Sequence, residues 1–129
     1  MIIELEFQFS AGHFYQVPNW SSEKNTSEFG LCFNPWGHGH NYRFRAQFQQ
    51  SSEFAEKDIL KLKTICQNVS SQLEHRHLNH EINEFRKIVP TTENIAVYLA
   101  KNIASQTEFL HKLTLFEMNN LWVEIDWKY

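Results

Sequence analysis

The chain has 129 residues, of which 42% are hydrophobic, so we expect one domain spanning residues 1–129 with a buried core. Its formal net charge of −3 gives no electrostatic reason to expect nucleic-acid binding. No apolar run is long enough to span a membrane, and the first residues do not form a basic and then apolar secretory leader. Two cysteines, Cys32 and Cys66, are too few for a secreted disulfide framework, so we expect a cytoplasmic protein with free thiols.

Two predicted strands carry the most informative pattern. The first covers residues 2–11, and its apolar face, continued by a histidine, reads Ile3, Leu5, Phe7, Phe9, Ala11, His13. The second covers residues 39–49, and the matching face reads His38, His40, Tyr42, Phe44, Ala46, Phe48. Side chains two residues apart share a face of a strand. Antiparallel pairing would therefore bring the three imidazoles together at one end of the sheet.

Three neutral imidazoles with a vacant fourth position form a catalytic zinc site. An isolated His-x-His pair is as compatible with surface or hydrogen-bonded histidines as with a metal. The in-phase His13 favours the metal, so His13, His38 and His40 are the predicted ligands. Three nitrogen donors favour zinc, with iron or nickel as competitors.

The segment between the strands, residues 14–37, is predicted to be a long irregular loop rich in Ser, Asn, Pro and Gly. It contains Trp20, Phe29, Phe33 and Trp36, too many aromatic residues for a solvated linker, so we expect it to fold over something. Cys32 lies in this loop and could be a fourth metal ligand, a nucleophile or base, or an inert thiol. The residues alone leave these alternatives open.

The middle of the chain predicts two helices. Apolar residues at three- and four-residue steps indicate an amphipathic helix over residues 54–73, with Cys66 on the buried stripe. A polar connector over residues 74–89 ends at Pro90, after which Thr91 or Thr92 can cap a second helix.

Two more strands close the chain, joined by a tight turn at Asn119–Asn120. The order β-β-α-α-β-β predicts an α+β fold, an antiparallel sheet with both helices on one face. Four strands leave two edges, which oligomerisation could cover.

Two further positions suggest chemistry. Glu117 shares the apolar-facing side of its strand, so either it needs a partner such as a bidentate array of N–H donors, or the strand end reaches solvent. Glu74 and His75 are neighbours that can form a proton relay, although a solvated loop histidine is the more common case.

Five blocks of the chain together resemble a known family. They are Phe9–His13, Cys32–Tyr42, Leu73–His75, Pro90–Asn94 and Phe116–Glu117. They are similar to the signature blocks of 6-pyruvoyl-tetrahydropterin synthase and its relative 6-carboxytetrahydropterin synthase, in the same order and across nearly the whole chain.

This resemblance implies a tunnelling fold whose trimers form a barrel and stack into a homohexamer, with active sites between subunits. It implies zinc on the three histidines, Cys32 as the catalytic base and His75 with Glu74 as the proton relay. It also implies Glu117 as the pterin anchor, with Thr91, Thr92 and Glu93 helping to hold the ring. Two residues depart from the family pattern: Glu74 replaces the usual Asp, and Met118 replaces a Thr after the anchor.

The implied substrate is 7,8-dihydroneopterin triphosphate. The five residues between Cys32 and His38 resemble the pyruvoyl type, which eliminates triphosphate in tetrahydrobiopterin synthesis. The alternatives are the carboxy type of queuosine biosynthesis, which releases acetaldehyde and triphosphate, and aldol cleavage to 6-hydroxymethyl-dihydropterin with Glu28 as the nearest candidate glutamate. A non-catalytic, zinc-stabilised pterin- or purine-binding module is the remaining alternative.

Overall fold

The computed structural model describes residues 1–34 and 36–129; Pro35, part of the Cys32–Tyr42 block, lies outside the described residues. Its strands are β1 (Ile2–His13), β2 (His38–Gln49), β3 (Arg76–His77), β4 (Leu110–Met118) and β5 (Leu121–Asp126). Its helices are α1 (Ser22–Phe29), α2 (Glu56–Ser71), α3 (Leu78–Glu81) and α4 (Thr92–Ala104). Short 3-10 turns occupy Gly30–Cys32 and Asn83–Arg86.

The strands form one sheet in the order β3-β1-β2-β4-β5. The central hairpin pairs β1 with β2 without interruption, from Ile2 opposite Gln49 to His13 opposite His38. Strands β4 and β5 continue the antiparallel pairing, as predicted, and turn at residues 119–120. The α+β tunnelling fold predicted from the sequence is confirmed.

The core lies between the sheet and helices α2 and α4, which pack together on one face. Alternate residues of β2 are fully buried there: Tyr42, Phe44, Ala46 and Phe48. Cys66 joins this core, and burial raises the pKa of its thiol to about 12, in keeping with its predicted place on the buried stripe. The opposite face is polar, and there Glu6 bridges Arg43 and Arg45 at 3.0 Å each.

Two predictions about the connections were wrong. The loop over 14–37 contains helix α1, which begins at a Ser21 cap whose hydroxyl accepts from the Lys24 amide at 3.1 Å and ends at Gly30. The connector over 74–89 contains β3, which adds a fifth strand parallel to β1, and helix α3. All three elements are shorter than nine residues, so their periodicity is too brief to be read locally. None of the described helices is long and apolar enough to cross a membrane.

Candidate metal and pterin site

The β1–β2 register brings three imidazoles to one end of the sheet. His13 lies opposite His38, and Ala11 lies opposite His40, so the three side chains share the inner face. Their ring centroids are 4.6 to 5.1 Å apart, and one nitrogen from each ring lies within 4.8 Å of the others. Among the described residues, this is the one group of three or more potential metal ligands.

The donor geometry of this group suits a small metal ion. The Nε2 atoms of His13 and His38 are 3.0 Å apart, close to the ~3.3 Å that tetrahedral zinc–nitrogen bonds would impose. His13 Nδ1 lies 3.0 Å from the Pro90 carbonyl oxygen. Because that carbonyl can only accept, Nδ1 carries the proton and Nε2 keeps its lone pair for a metal.

The lowered pKa of His13 also favours metal binding. Burial, helped by the neighbouring His38, lowers the pKa of His13 to about 4. Burial also lowers the pKa of His40, although the nearby Glu117 carboxylate opposes this shift. A low pKa leaves an imidazole neutral at pH 7, which is the form that binds a metal. The three histidines could therefore hold a metal ion.

Glu117 is buried beside these rings, so its strand end does not reach solvent and its carboxylate needs a partner. Its side chain is 5% exposed, and Oε1 lies 3.4 Å from His13 Nε2 and 3.6 Å from His40 Nε2. The Tyr42 hydroxyl donates to the same oxygen at 3.4 Å. The β4–β5 register shifts between Phe116 and Met118, at Glu117 itself. Such irregularities often aim a side chain at a functional site.

Cys32 lies near this site but outside the ligand group. It ends the 3-10 turn after α1 and is partly exposed. The backbone N–H of Tyr15 donates to its carbonyl oxygen at 2.8 Å, and the Tyr15 ring meets the edge of His13 at 5.1 Å. Tyr15 thus joins the cysteine turn to the end of β1. Among the described residues, the group of potential metal ligands does not include Cys32.

The sequence pattern did not identify Tyr15 as a neighbour of the histidine group. Burial, followed by the negative charges of Glu117 and Cys32, raises the pKa of its hydroxyl, which therefore stays neutral. The available signal was its position two residues after His13, where strand alternation would continue the inner face.

The segment Thr91–Glu93 lies at the start of α4. The Thr91 hydroxyl accepts from the Asn94 amide at 3.2 Å. Of the two predicted caps, Thr91 and Thr92, Thr91 is therefore the helix cap. Thr92 is buried and Glu93 is exposed. Because Pro90 accepts the His13 hydrogen bond, this cap is fixed to the histidine group.

The Glu74–His75 pair lies beside β1, directly before the edge strand β3, and makes no hydrogen bond or ion pair with the described atoms of the histidine group. The Ser10 amide donates to Glu74 Oε1 at 3.1 Å, and the His75 amide donates to the Ser10 carbonyl at 2.6 Å. The His75 imidazole is 84% exposed and lies 3.4 Å from the Glu74 carboxylate. His75 has a φ of 57°, a strained value for a histidine that often marks a functional site.

Comparison with known proteins agrees with this arrangement. The family model for 6-pyruvoyl tetrahydropterin synthase matches residues 2–127. An orangutan (Pongo abelii) protein named 6-pyruvoyl tetrahydrobiopterin synthase is 32% identical, over 92% of this chain and 86% of its own length. The solved structure of Caenorhabditis elegans 6-pyruvoyl tetrahydropterin synthase is 28% identical and superposes with a TM-score of 0.90, covering 99% of this chain and 96% of that one.

An archaeal relative points to a second branch. A protein of Archaeoglobus fulgidus named as a putative 6-carboxy-5,6,7,8-tetrahydropterin synthase is 27% identical, over 97% of this chain and 95% of its own length. The match to the family model covers nearly the whole chain and includes every element of the site described above. The chain belongs to the 6-pyruvoyl tetrahydropterin synthase family.

Proposed function

We propose that this protein converts 7,8-dihydroneopterin triphosphate to 6-pyruvoyl-tetrahydropterin with elimination of triphosphate, and that the reaction depends on zinc. The observation that carries the proposal is a buried carboxylate beside a three-imidazole group, with Glu117 Oε1 at 3.4 Å from His13 Nε2. One ligand that offers N–H donors at one end and hydroxyl oxygens at the other would satisfy both parts of the site. A dihydropterin with a hydroxylated side chain has this chemistry.

Different residues of the chain bind the metal and the pterin ring. His13, His38 and His40 hold the metal, and Glu117 accepts the paired N–H donors of the pterin ring. When bound, zinc lowers the pKa of side-chain hydroxyls and polarises a carbonyl. Glu93 and the Thr91–Thr92 backbone border the ring, because the α4 cap is fixed to His13 through Pro90.

Proton movement is assigned to two separate groups. The Cys32 thiolate removes a carbon-bound proton from the substrate, and its turn is held beside His13 through Tyr15. His75, oriented by Glu74, carries protons on the other side of the substrate. Because the His75 imidazole is exposed, we propose that it serves the site of a neighbouring subunit in a homohexamer built from two trimers.

The second candidate function is that of a 6-carboxytetrahydropterin synthase, which the archaeal relative favours. The two reactions use the same zinc and pterin subsites and differ in the fate of the side chain. The carboxy reaction releases acetaldehyde in addition to triphosphate.

The test is to incubate zinc-loaded protein with 7,8-dihydroneopterin triphosphate and to identify the products by mass spectrometry. Triphosphate with 6-pyruvoyl-tetrahydropterin supports the first function, whereas acetaldehyde supports the second. Unchanged substrate in the presence of bound zinc would refute both and leave a binding module.

Two variants sharpen this experiment. Glu117→Gln should keep the metal but lose turnover by ~10²-fold or more, because the pterin ring loses its anionic acceptor. Loss of zinc in Glu117→Gln would instead make this residue a ligand.

Cys32→Ala should likewise retain zinc and lose turnover. Retained zinc would identify Cys32 as a catalytic base, whereas loss of zinc would identify it as a metal ligand.

A further inference from the structure

A cavity with basic side chains is bordered by Phe14, the residue that follows β1. It has a volume of about 360 Å³. Its lining includes Phe14, Asn79, His80, Arg86, Lys87 and Ile88. Three of these side chains carry N–H donors on a basic group, and none of the described lining residues has a carboxylate.

Both walls of the cavity are attached to the metal-ligating end of β1. Phe14 follows His13 directly, and its backbone N–H and carbonyl are both bonded to the buried Asn79 amide, at 2.8 and 2.9 Å. On the other wall, Ile88 lies two residues before Pro90, whose carbonyl accepts from His13. Consecutive Cα atoms are ~3.8 Å apart. Phe14 is therefore separated from His13, and Ile88 from the His13 partner Pro90, by no more than ~8 Å of chain.

The positive charge of this cavity is not neutralised within the described chain. Arg86 donates to the His80 carbonyl at 3.3 Å, which ties the two walls together. Among the described residues, the Lys and Arg side chains that form ion pairs are Arg43, Arg45, Arg76 and Lys112. Arg86 and Lys87 therefore have no carboxylate partner there. The acid nearest in sequence to His80 is Glu81, which is already bonded to Arg76 and to the His77 amide.

We propose that this cavity binds the phosphate chain of the substrate, with Arg86 and Lys87 as the main anion-binding groups and His80 as a further donor. The inference rests on the proposed function for its natural ligand. A triphosphate carries several negative charges over a length of several ångströms, which matches two unpaired cations in a cavity whose walls adjoin His13 and its partner Pro90 in the chain. Arginine binds phosphate oxygens in pairs, and lysine adds a mobile point charge.

The test uses sodium tripolyphosphate and the double variant R86Q/K87Q. Calorimetric titration of the full chain, as purified and after EDTA treatment, measures tripolyphosphate binding with and without a metal that could itself attract phosphate. We expect the double variant to bind ~10- to 100-fold more weakly in both forms, because two charge-assisted contacts are lost. The matched control is K61Q/K63Q, which removes the same charge from exposed positions on α2.

The same variants report on the substrate through KM. R86Q/K87Q should raise KM for the triphosphate substrate by a similar factor while zinc content and binding of unphosphorylated dihydroneopterin stay unchanged. Equal tripolyphosphate binding by R86Q/K87Q and K61Q/K63Q would overturn the proposal, and so would binding that disappears with EDTA in every variant. If the protein turns nothing over, the calorimetry on EDTA-treated protein still decides whether the anion site exists.

Discussion

The hairpin end, formed by His13, His38 and His40, and the relay segment, Glu74–His75, are built in opposite ways. The imidazoles of the hairpin end are held by an uninterrupted strand register and by a hydrogen bond from His13 to Pro90. The relay segment is held by hydrogen bonds to Ser10, and its imidazole is 84% exposed. One chain therefore brings three imidazoles together, whereas His75 makes no hydrogen bond or ion pair with the described atoms of that group.

The largest expected effect comes from breaking the hairpin end. His38→Ala should weaken zinc binding beyond the ~10–100-fold loss typical of removing an outer-shell partner, because a ligand itself is lost, and turnover should fall with it. Metal analysis after dialysis and the product assay check this. His111→Ala is the control, since that histidine lies outside the ligand group. Full zinc occupancy in His38→Ala would remove this residue from the metal site.

The relay segment is tested by mixing subunits. His75→Asn alone should lower turnover by ~10²–10⁴-fold, the range of general acid–base catalysis, with zinc retained. Co-expression of His75→Asn and Cys32→Ala chains under different tags should restore activity at about one quarter of the sites, if each site combines two subunits at random. Mixed oligomers as inactive as their parents would show that cysteine and histidine must come from one chain.

A pair of glycines tests how tightly the hairpin end is packed. Gly37 has a φ of 73°, and a Cβ there would lie 2.7 Å from the His13 carbonyl oxygen and 2.9 Å from His77 Nε2. Gly30 has a φ of 55° but no described neighbour within 4 Å of such a Cβ. We expect Gly30→Ala to cost ~1–2 kcal/mol from the left-handed backbone alone. Gly37→Ala should cost ~2–5 kcal/mol and weaken zinc binding, because the backbone of His13 must also move.

Urea unfolding and metal titration of the two glycine variants give the comparison. Equal losses of stability with unchanged zinc affinity would show that the contacts of Gly37 with His13 and His77 do not matter.

The last expected effect is a pH dependence of the metal-free protein. The pKa of His13 falls from 6.5 in the unfolded chain to about 4 in the fold, so between these values only the unfolded state binds the proton. The stabilisation from His13 is complete above pH 6.5 and is lost as the pH falls towards 4, by about 3 kcal/mol. His40 and His77, whose pKa values burial also lowers, act in the same direction.

Urea unfolding of EDTA-treated protein between pH 6.5 and 4 measures this loss, and His111→Gln should leave it unchanged. Constant stability across the range would mean that the fold exposes His13 to solvent.

The sequence by itself determined the hairpin, the two long helices and the convergence of the histidines. Two-residue alternation specifies which side chains share a face, and a single antiparallel register then brings residues 13, 38 and 40 together. Only the tertiary structure decided the environment of Glu117, because its burial depends on β4 pairing with β2 and on a register shift that no local pattern encodes. It also decided the places of α1, β3 and Tyr15, since short elements and isolated contacts are stabilised by distant parts of the chain rather than by their own periodicity.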